Sequence, residues 1–179
     1  KPQTTSKINP RDLIQRAESK SESGDIVTAR NMLNDALSSN QLDETDADRA
    51  RSLMSELNKR ILFSPQRFNA DTHTKSYKVE PGNRLTNIAR KFDVPWELLG
   101  RLNNISDPSK LQAGVTLKTI QGPFHGVVSK SKYTLDVYLG SPGGPDSMYV
   151  MTFGVGLGSD GSTPTGMWLV GAGKIMNPV

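Results

Sequence analysis

Apolar residues recur at helical spacing through the first third of the chain. Asn9-Pro10 marks a start: Asn9 can cap, Pro10 fits the first turn, and Asp12 suits the positive end of a helix. Leu13, Ile14 and Ala17 then give a short apolar face, broken at Ser23-Gly24-Asp25. Asp25 can cap a second helix with Ile26, Ala29, Leu33 and Ala36 on one side and Met32 and Leu37 alongside. Ala47, Ala50, Leu53, Met54, Leu57 and Ile61 predict a third helix, which Pro65 ends. Residues 65–75 are polar and aperiodic, so they read as a linker, and His73 within it as an ordinary solvated side chain.

The pattern changes at Tyr77. Tyr77, Val79 and Pro81-Gly82 predict a short strand and a tight turn. Asn83 can cap the next helix, in which Leu85, Ile88, Ala89 and Phe92 share a face. Val94-Pro95 opens another helix with Trp96, Leu98, Leu99 and Leu102, stopped by Asn103-Asn104. Spacing assigns Trp96 to the core. After Ala113-Gly114, Val115, Leu117 and Ile120 predict a closing strand. Two strands around two helices make a complete βααβ unit.

From Pro123 glycines and β-formers dominate. Val127 and Val128, then Tyr133, Leu135, Val137 and Leu139 in alternation, predict a hairpin turning at Ser129 to Lys132. Met148 to Val155 and Met167 to Val170 predict further strands, joined through Gly140 to Asp146 and Gly156 to Gly161. Gly156 and Gly158 are not a phosphate loop, because no helix and no Lys-Ser/Thr ending follow. The expected fold class is α+β and multidomain: a helical module at 1–64, a linker at 65–75, a βααβ module at 76–121 and an antiparallel β segment at 122–179.

Composition narrows the function. Apolar residues are 35% and aromatics 6%, which favours several small cores over one large one. No apolar run approaches the roughly 20 residues of a membrane helix, and Lys1 does not open a secretory signal. The absence of cysteine excludes disulfides, thiolate metal sites and a cysteine nucleophile within these residues, and two distant histidines argue against zinc. No metal or cofactor is expected. The net charge is +4, and residues 65–121 carry all of the excess, with nine basic and five acidic side chains. Such a surface suits an anionic polymer or plain solvation.

The two helices split by Gly24-Asp25, with Ala29-Arg30 and Ala36-Leu37 in the second, weakly resemble one tetratricopeptide unit. Arrays of that kind need about three units, so a helical packing module is the simpler reading, with a protein-binding repeat as the alternative.

Tyr77-Lys78-Val79-Glu80-Pro81-Gly82-Asn83-Arg84-Leu85, Ile88-Ala89-Arg90-Lys91-Phe92, Leu102-Asn103, Ile105-Ser106-Asp107-Pro108, Leu111 and Ala113-Gly114 are similar to the LysM family throughout. Asn83 stands where the family usually has Asp, and Val115 where Gln is common. The resemblance implies a module that holds glycans containing N-acetylglucosamine in a shallow groove between two loops. Carried over by position, the glycan-binding residues are Gly82, Asn83, Arg84, Leu85 and Thr86 in one loop and Ile105, Ser106 and Asp107 in the other. Leu85 and Leu111 also read as core, and Ile105 fits either role. The implied partner is peptidoglycan, with no nucleic acid and no membrane span in this chain, and the implied location is the cell envelope outside the cytoplasm.

Tyr133-Thr134-Leu135-Asp136-Val137-Tyr138-Leu139, Met151 to Gly156 and Ser162-Thr163-Pro164-Thr165-Gly166-Met167-Trp168 resemble the opening half of a YkuD-type L,D-transpeptidase domain. That resemblance implies cysteine acyl transfer on peptidoglycan stem peptides. The family's His-Gly and Ser-x-Gly-Cys motifs are not among these residues, and His125-Gly126 lies ahead of the first strand, so no catalytic residue is assigned. Half a sheet also implies an open edge, to be covered by more chain, another copy or a partner. The expected function is peptidoglycan binding within the L,D-transpeptidase family. The alternatives are a non-enzymatic wall-binding protein or an envelope adaptor.

Overall fold

The computed structural model describes residues 9–171 and 174–176. The first eight residues of the expected helical module, and residues 172, 173 and 177–179 of the β segment, lie outside the described residues. Three helices open the fold: α1 (Pro10–Glu22), α2 (Ile26–Ser38) and α3 (Glu44–Ile61). Asn9 caps α1 by accepting from the Arg11 N–H at 3.0 Å, and Asp43 caps α3 by accepting from Asp46 N–H at 2.9 Å. Asp25 stands at the cap position of α2 and its carboxylate reaches Lys20 Nζ at 3.2 Å. Helix α3 stops at Ile61, ahead of Pro65. Ser64, before the proline, is steered away from helical angles, and the carbonyls freed there find a partner described below.

The glycan-module expectation concerns the next elements. Strand β1 (Thr74–Lys78) is followed by α4 (Leu85–Lys91), α5 (Trp96–Leu102), a 3-10 turn at Pro108–Lys110 and β2 (Thr116–Ile120). The two strands pair antiparallel, with Tyr77 opposite Leu117. Val79, Leu85, Ile88, Ala89, Phe92, Leu99 and Leu117 form their own core, with Tyr77, Trp96, Ile105 and Leu111 packed against it. The i, i+3, i+4, i+7 face of α4 is therefore the buried one. Val115 is exposed and precedes β2 rather than belonging to it.

Strand β2 buries both faces from Leu117 to Ile120, which alternation does not predict. One face covers the βααβ core. The other is covered by the helical segment, and Lys118 is its centre. The Lys118 ammonium is 1% exposed and donates to the carbonyls of Ile61 at 2.6 Å, Ser64 at 2.8 Å and Gln66 at 2.6 Å. Three donors meet three acceptors at the negative end of α3, where helix carbonyls have no partner of their own. Burial pushes the Lys118 pKa down to about 8, against the pull of the Asp71 carboxylate.

A second polar joint lies beside it. Arg30 of α2 and Asp71 pair at 2.8 Å with both side chains fully buried. Asp71 also accepts from the Thr74 hydroxyl at 2.6 Å and the His73 N–H at 3.2 Å. His73 is thus half-buried, not a solvated loop side chain. The polar stretch at 65–75 looks like a linker because its one buried residue is an aspartate.

The remaining strands are β3 (Phe124–Ser129), β4 (Thr134–Leu139), β5 (Met148–Gly154), β6 (Leu169–Gly171) and β7 (Lys174–Met176). Strands β3-β4-β5 form an antiparallel meander and β6-β7 a hairpin. Tyr133 sits in the turn at positive φ and is exposed, so it leaves the alternation expected of it. Leu139, Met148, Tyr149 and Val150 join the α1–α3 core, together with Leu102 and Ile120. The meander and the helices therefore share one core. Asn58 of α3 donates to the Tyr149 and Val150 carbonyls at 3.1 and 3.0 Å, and Asn34 of α2 accepts from Tyr149 N–H at 3.2 Å. Two helical asparagines thus occupy the backbone of edge strand β5. At the far end of the sheet Val128, Leu135 and Phe153 lie in register, with Val128 and Phe153 exposed.

Candidate functional site

The two loops expected to hold ligand flank α4 and α5. In the first, Pro81-Gly82 makes a turn of the type that requires positive φ at its third residue, and Gly82 has φ 83°. Asn83 closes this turn. Its carboxamide oxygen accepts from the Tyr77 hydroxyl at 2.8 Å and from Glu80 N–H at 3.2 Å. Asn83 does not cap α4: Arg84 holds the cap position, without a side-chain bond. The expected capping role fails because the turn draws the side chain back toward the strand. Lys91 Nζ lies 5.0 Å from the Tyr77 ring centroid, at the other end of α4.

The second loop leaves α5 through Asn104, at positive φ, and returns as Ile105 N–H donates to Gly100 O at 2.8 Å. Gly100 makes this close return possible. A Cβ there would lie 2.8 Å from Ile105 O and 3.8 Å from Leu85 Cδ2. One glycine in a helix thus lets the second loop settle over a side chain of the first. Asp107 accepts from Ser109 N–H at 2.9 Å and from the Ser109 hydroxyl at 2.6 Å, capping the 3-10 turn. These bonds hold its carboxyl below the usual carboxylate range. That turn packs against α4, and Val79 exchanges backbone bonds with Gly114 and Val115 at 2.8 Å each. The loops are therefore tied together at both ends.

The eight expected residues play unequal parts. Gly82, Arg84, Thr86 and Ser106 are exposed, whereas Asn83, Ile105 and Asp107 are half-buried. Leu85 is 1% exposed, so its side chain belongs to the core and only its backbone can face a ligand. Asn83 and Asp107 spend their acceptors on the loops themselves. What remains is a shallow polar surface of backbone groups, Arg84, Thr86, Ser106 and the outer edge of Ile105. That suits a neutral, hydroxyl-rich ligand held weakly per module. Two clefts elsewhere, between α1 and α3 and between residues 67–69 and the β1–β2 sheet, are lined by none of these residues.

Sequence reasoning missed Gly100 and Asn103. Asn103 donates to Leu99 O and Lys118 O at 2.8 Å each and accepts from Lys118 N–H at 2.7 Å, fastening α5 to β2. A glycine inside a helical pattern is a readable sign of close approach; an asparagine at a helix end reads only as a stop.

No group of three metal-ligating side chains occurs among the described residues. His125-Gly126 lies within β3, the first strand of the segment, and not ahead of it as expected; His125 is half-buried opposite Tyr138. The Thr163 hydroxyl accepts from Gly158 N–H and the Thr163 carbonyl from Lys130 Nζ, both at 2.7 Å, so the Thr163-Pro164 segment is pinned to the hairpin turn.

No curated protein and no solved structure matches the chain. The family model described as "LysM domain" matches residues 77–119, the span that runs from the end of β1 through both loops and both helices into β2. A LysM domain is found at residues 77–119, and domains of that family bind peptidoglycan- and chitin-type glycans containing N-acetylglucosamine.

Proposed function

We propose that this protein binds the glycan of peptidoglycan through the surface between residues 82–86 and 105–107, outside the cytoplasm in the cell envelope. The observation that carries the reading is the closure of the two loops over Leu85 and Gly100, which leaves Thr86 and Ser106 exposed beside free backbone on the LysM domain. The same domain is docked by Lys118 and Asp71 on its other side, so binding does not require the module to detach. The test is retention on purified peptidoglycan. Ser106→Trp, an exposed position, is expected to lower retention about tenfold with an unchanged melting temperature; full retention by that variant would place the glycan elsewhere.

The finer reading is that glycan binding serves an L,D-transpeptidase of the YkuD type. It is supported by Ser162-Thr163-Pro164-Thr165-Gly166 following a β-hairpin and by the bond from Lys130 Nζ that holds the Thr163 carbonyl to that hairpin. These 179 residues contain no cysteine, so they supply binding and scaffold rather than the acyl-transfer nucleophile. Cross-linking of stem peptides by this polypeptide alone would overturn that division of labour.

A further inference from the structure

The cations of this chain are not distributed like its anions. In the helical segment Arg11, Lys20, Arg30, Arg49, Arg51 and Lys59 pair with carboxylates, and of its described cations only Arg16 and Arg60 do not. In the LysM domain and its approach, Lys110 alone does so among the described residues, at 3.8 Å from Asp107. Arg84 and Lys91 are both exposed and face no carboxylate within ion-pair distance among the described residues. Arg84 stands at the cap position of α4 and Lys91 is its last residue, so the two positions are about 10 Å apart along the helix axis. They are also linked through the site: Lys91 lies over Tyr77, Tyr77 donates to Asn83, and Asn83 adjoins Arg84 at the edge of the glycan loops.

We infer that this side of α4 receives carboxylates of the stem peptide borne by the glycan, so that the domain reads peptide-bearing peptidoglycan and not bare sugar. The inference rests on the glycan-binding reading above and deepens it. The chemistry fits at three points. Apart from Arg84, the exposed side chains of the sugar surface, Thr86 and Ser106, are neutral, so recognition of charge falls to Arg84 and the cations beside it. A stem peptide hangs laterally from the sugar and carries free carboxylates. About three extended residues span 10 Å, which is the backbone spacing of the two positions along α4. Exposed pairs of this kind are individually weak and screened by salt. Two of them give about a three- to tenfold preference at low ionic strength, and the preference fades as salt rises.

The experiment compares three soluble probes on the full chain by calorimetry: a peptidoglycan glycan oligomer with its stem peptides, the same oligomer after amidase removal of the peptides, and poly(glycerol phosphate). The expected order is peptide-bearing above stripped, with the gap closing between about 50 mM and 500 mM salt. Lys91→Gln is expected to narrow the gap at least twofold and to leave affinity for the stripped oligomer unchanged, and Lys91→Arg to restore the gap. Equal affinity for the two oligomers overturns the inference and spares the glycan reading. Binding of neither oligomer overturns both. Tighter binding of the phosphate polymer than of the peptide-bearing oligomer also overturns it, because a generic polyanion surface would then account for the cations.

Discussion

Lys118 Nζ lies 2.6 Å from the carbonyl oxygen of Ile61, so a strand of the LysM sheet caps the last turn of a helix from another part of the chain. The same ammonium takes the carbonyls of Ser64 and Gln66. Replacing it leaves buried acceptors without a donor, and each such loss costs about 1–3 kcal/mol. Lys118→Met keeps the length of the stem and removes the charge. It is expected to lower unfolding free energy by about 2–3 kcal/mol in urea titrations. A melting temperature equal to that of the unchanged protein would show that water replaces the lysine at no cost.

The Arg30–Asp71 joint makes stability depend on pH. Burial raises the Asp71 carboxyl, but the Thr74 hydroxyl and Arg30 outweigh it and hold the group below its ordinary value of 3.8. Burial, helped by the Arg30 charge, lowers His73 below 6.5. Both folded values are depressed, so the unfolded chain binds more protons in each window and stability rises with pH through it. The His73 contribution is full above pH 6.5 and is lost as pH falls through its lower folded value. The Asp71 contribution is full above pH 3.8 and is lost below. Melting temperature against pH is therefore expected to fall in two steps, with Lys118, at about 8, charged throughout both. His73→Phe should abolish the first step; a profile that keeps it would assign that step to another group.

Asn58 holds the edge strand. It is fully buried and donates to two carbonyls of β5, whereas its own oxygen has no partner among the described residues. Asn58→Leu leaves the Tyr149 and Val150 carbonyls open inside the shared core. Stability is expected to fall by about 2 kcal/mol, and proteolysis between residues 140 and 160 to accelerate. Unchanged proteolysis there would mean that apolar packing alone keeps the meander on α3.

The elements were legible where periodicity reports burial. The faces of α2, α3 and α4 could be read because Leu33, Met54 and Ile88 recur at helical spacing and each is buried. The turns beside α4 and α5 could be placed because Pro81-Gly82 and Asp107-Pro108 dictate backbone shape. What was not legible is how the parts join. The joints are made by Arg30, Asp71, Lys118, Asn34 and Asn58, polar residues that hydropathy assigns to the surface. A lysine is buried only when acceptors converge on it, and here they come from Ile61, Ser64 and Gln66, more than fifty positions away in sequence. The boundary expected at residue 122 shares this origin: composition changes there, while the core formed by Leu139, Tyr149 and Val150 is completed by the helices.

Gly100 couples the fold to the proposed binding surface, and its substitution separates the two. Alanine is the better helix former by about 1 kcal/mol, so propensity alone predicts that Gly100→Ala stabilises α5. Its Cβ, however, would stand 2.8 Å from Ile105 O, a backbone atom of the ligand loop. Backbone cannot rotate away as a side chain can, so the loop must shift. The shift moves Ile105 and Ser106 relative to Thr86, across the surface proposed to hold the sugar. Helix propensity and loop displacement nearly offset each other in stability, with a net change of about 1 kcal/mol or less. In binding they do not offset. Affinity for chito-oligosaccharides is expected to fall at least threefold, read by calorimetry at a temperature well below unfolding. Gly100→Ala with a raised melting temperature and full affinity would show that the second loop tolerates displacement and that its position does not define the site.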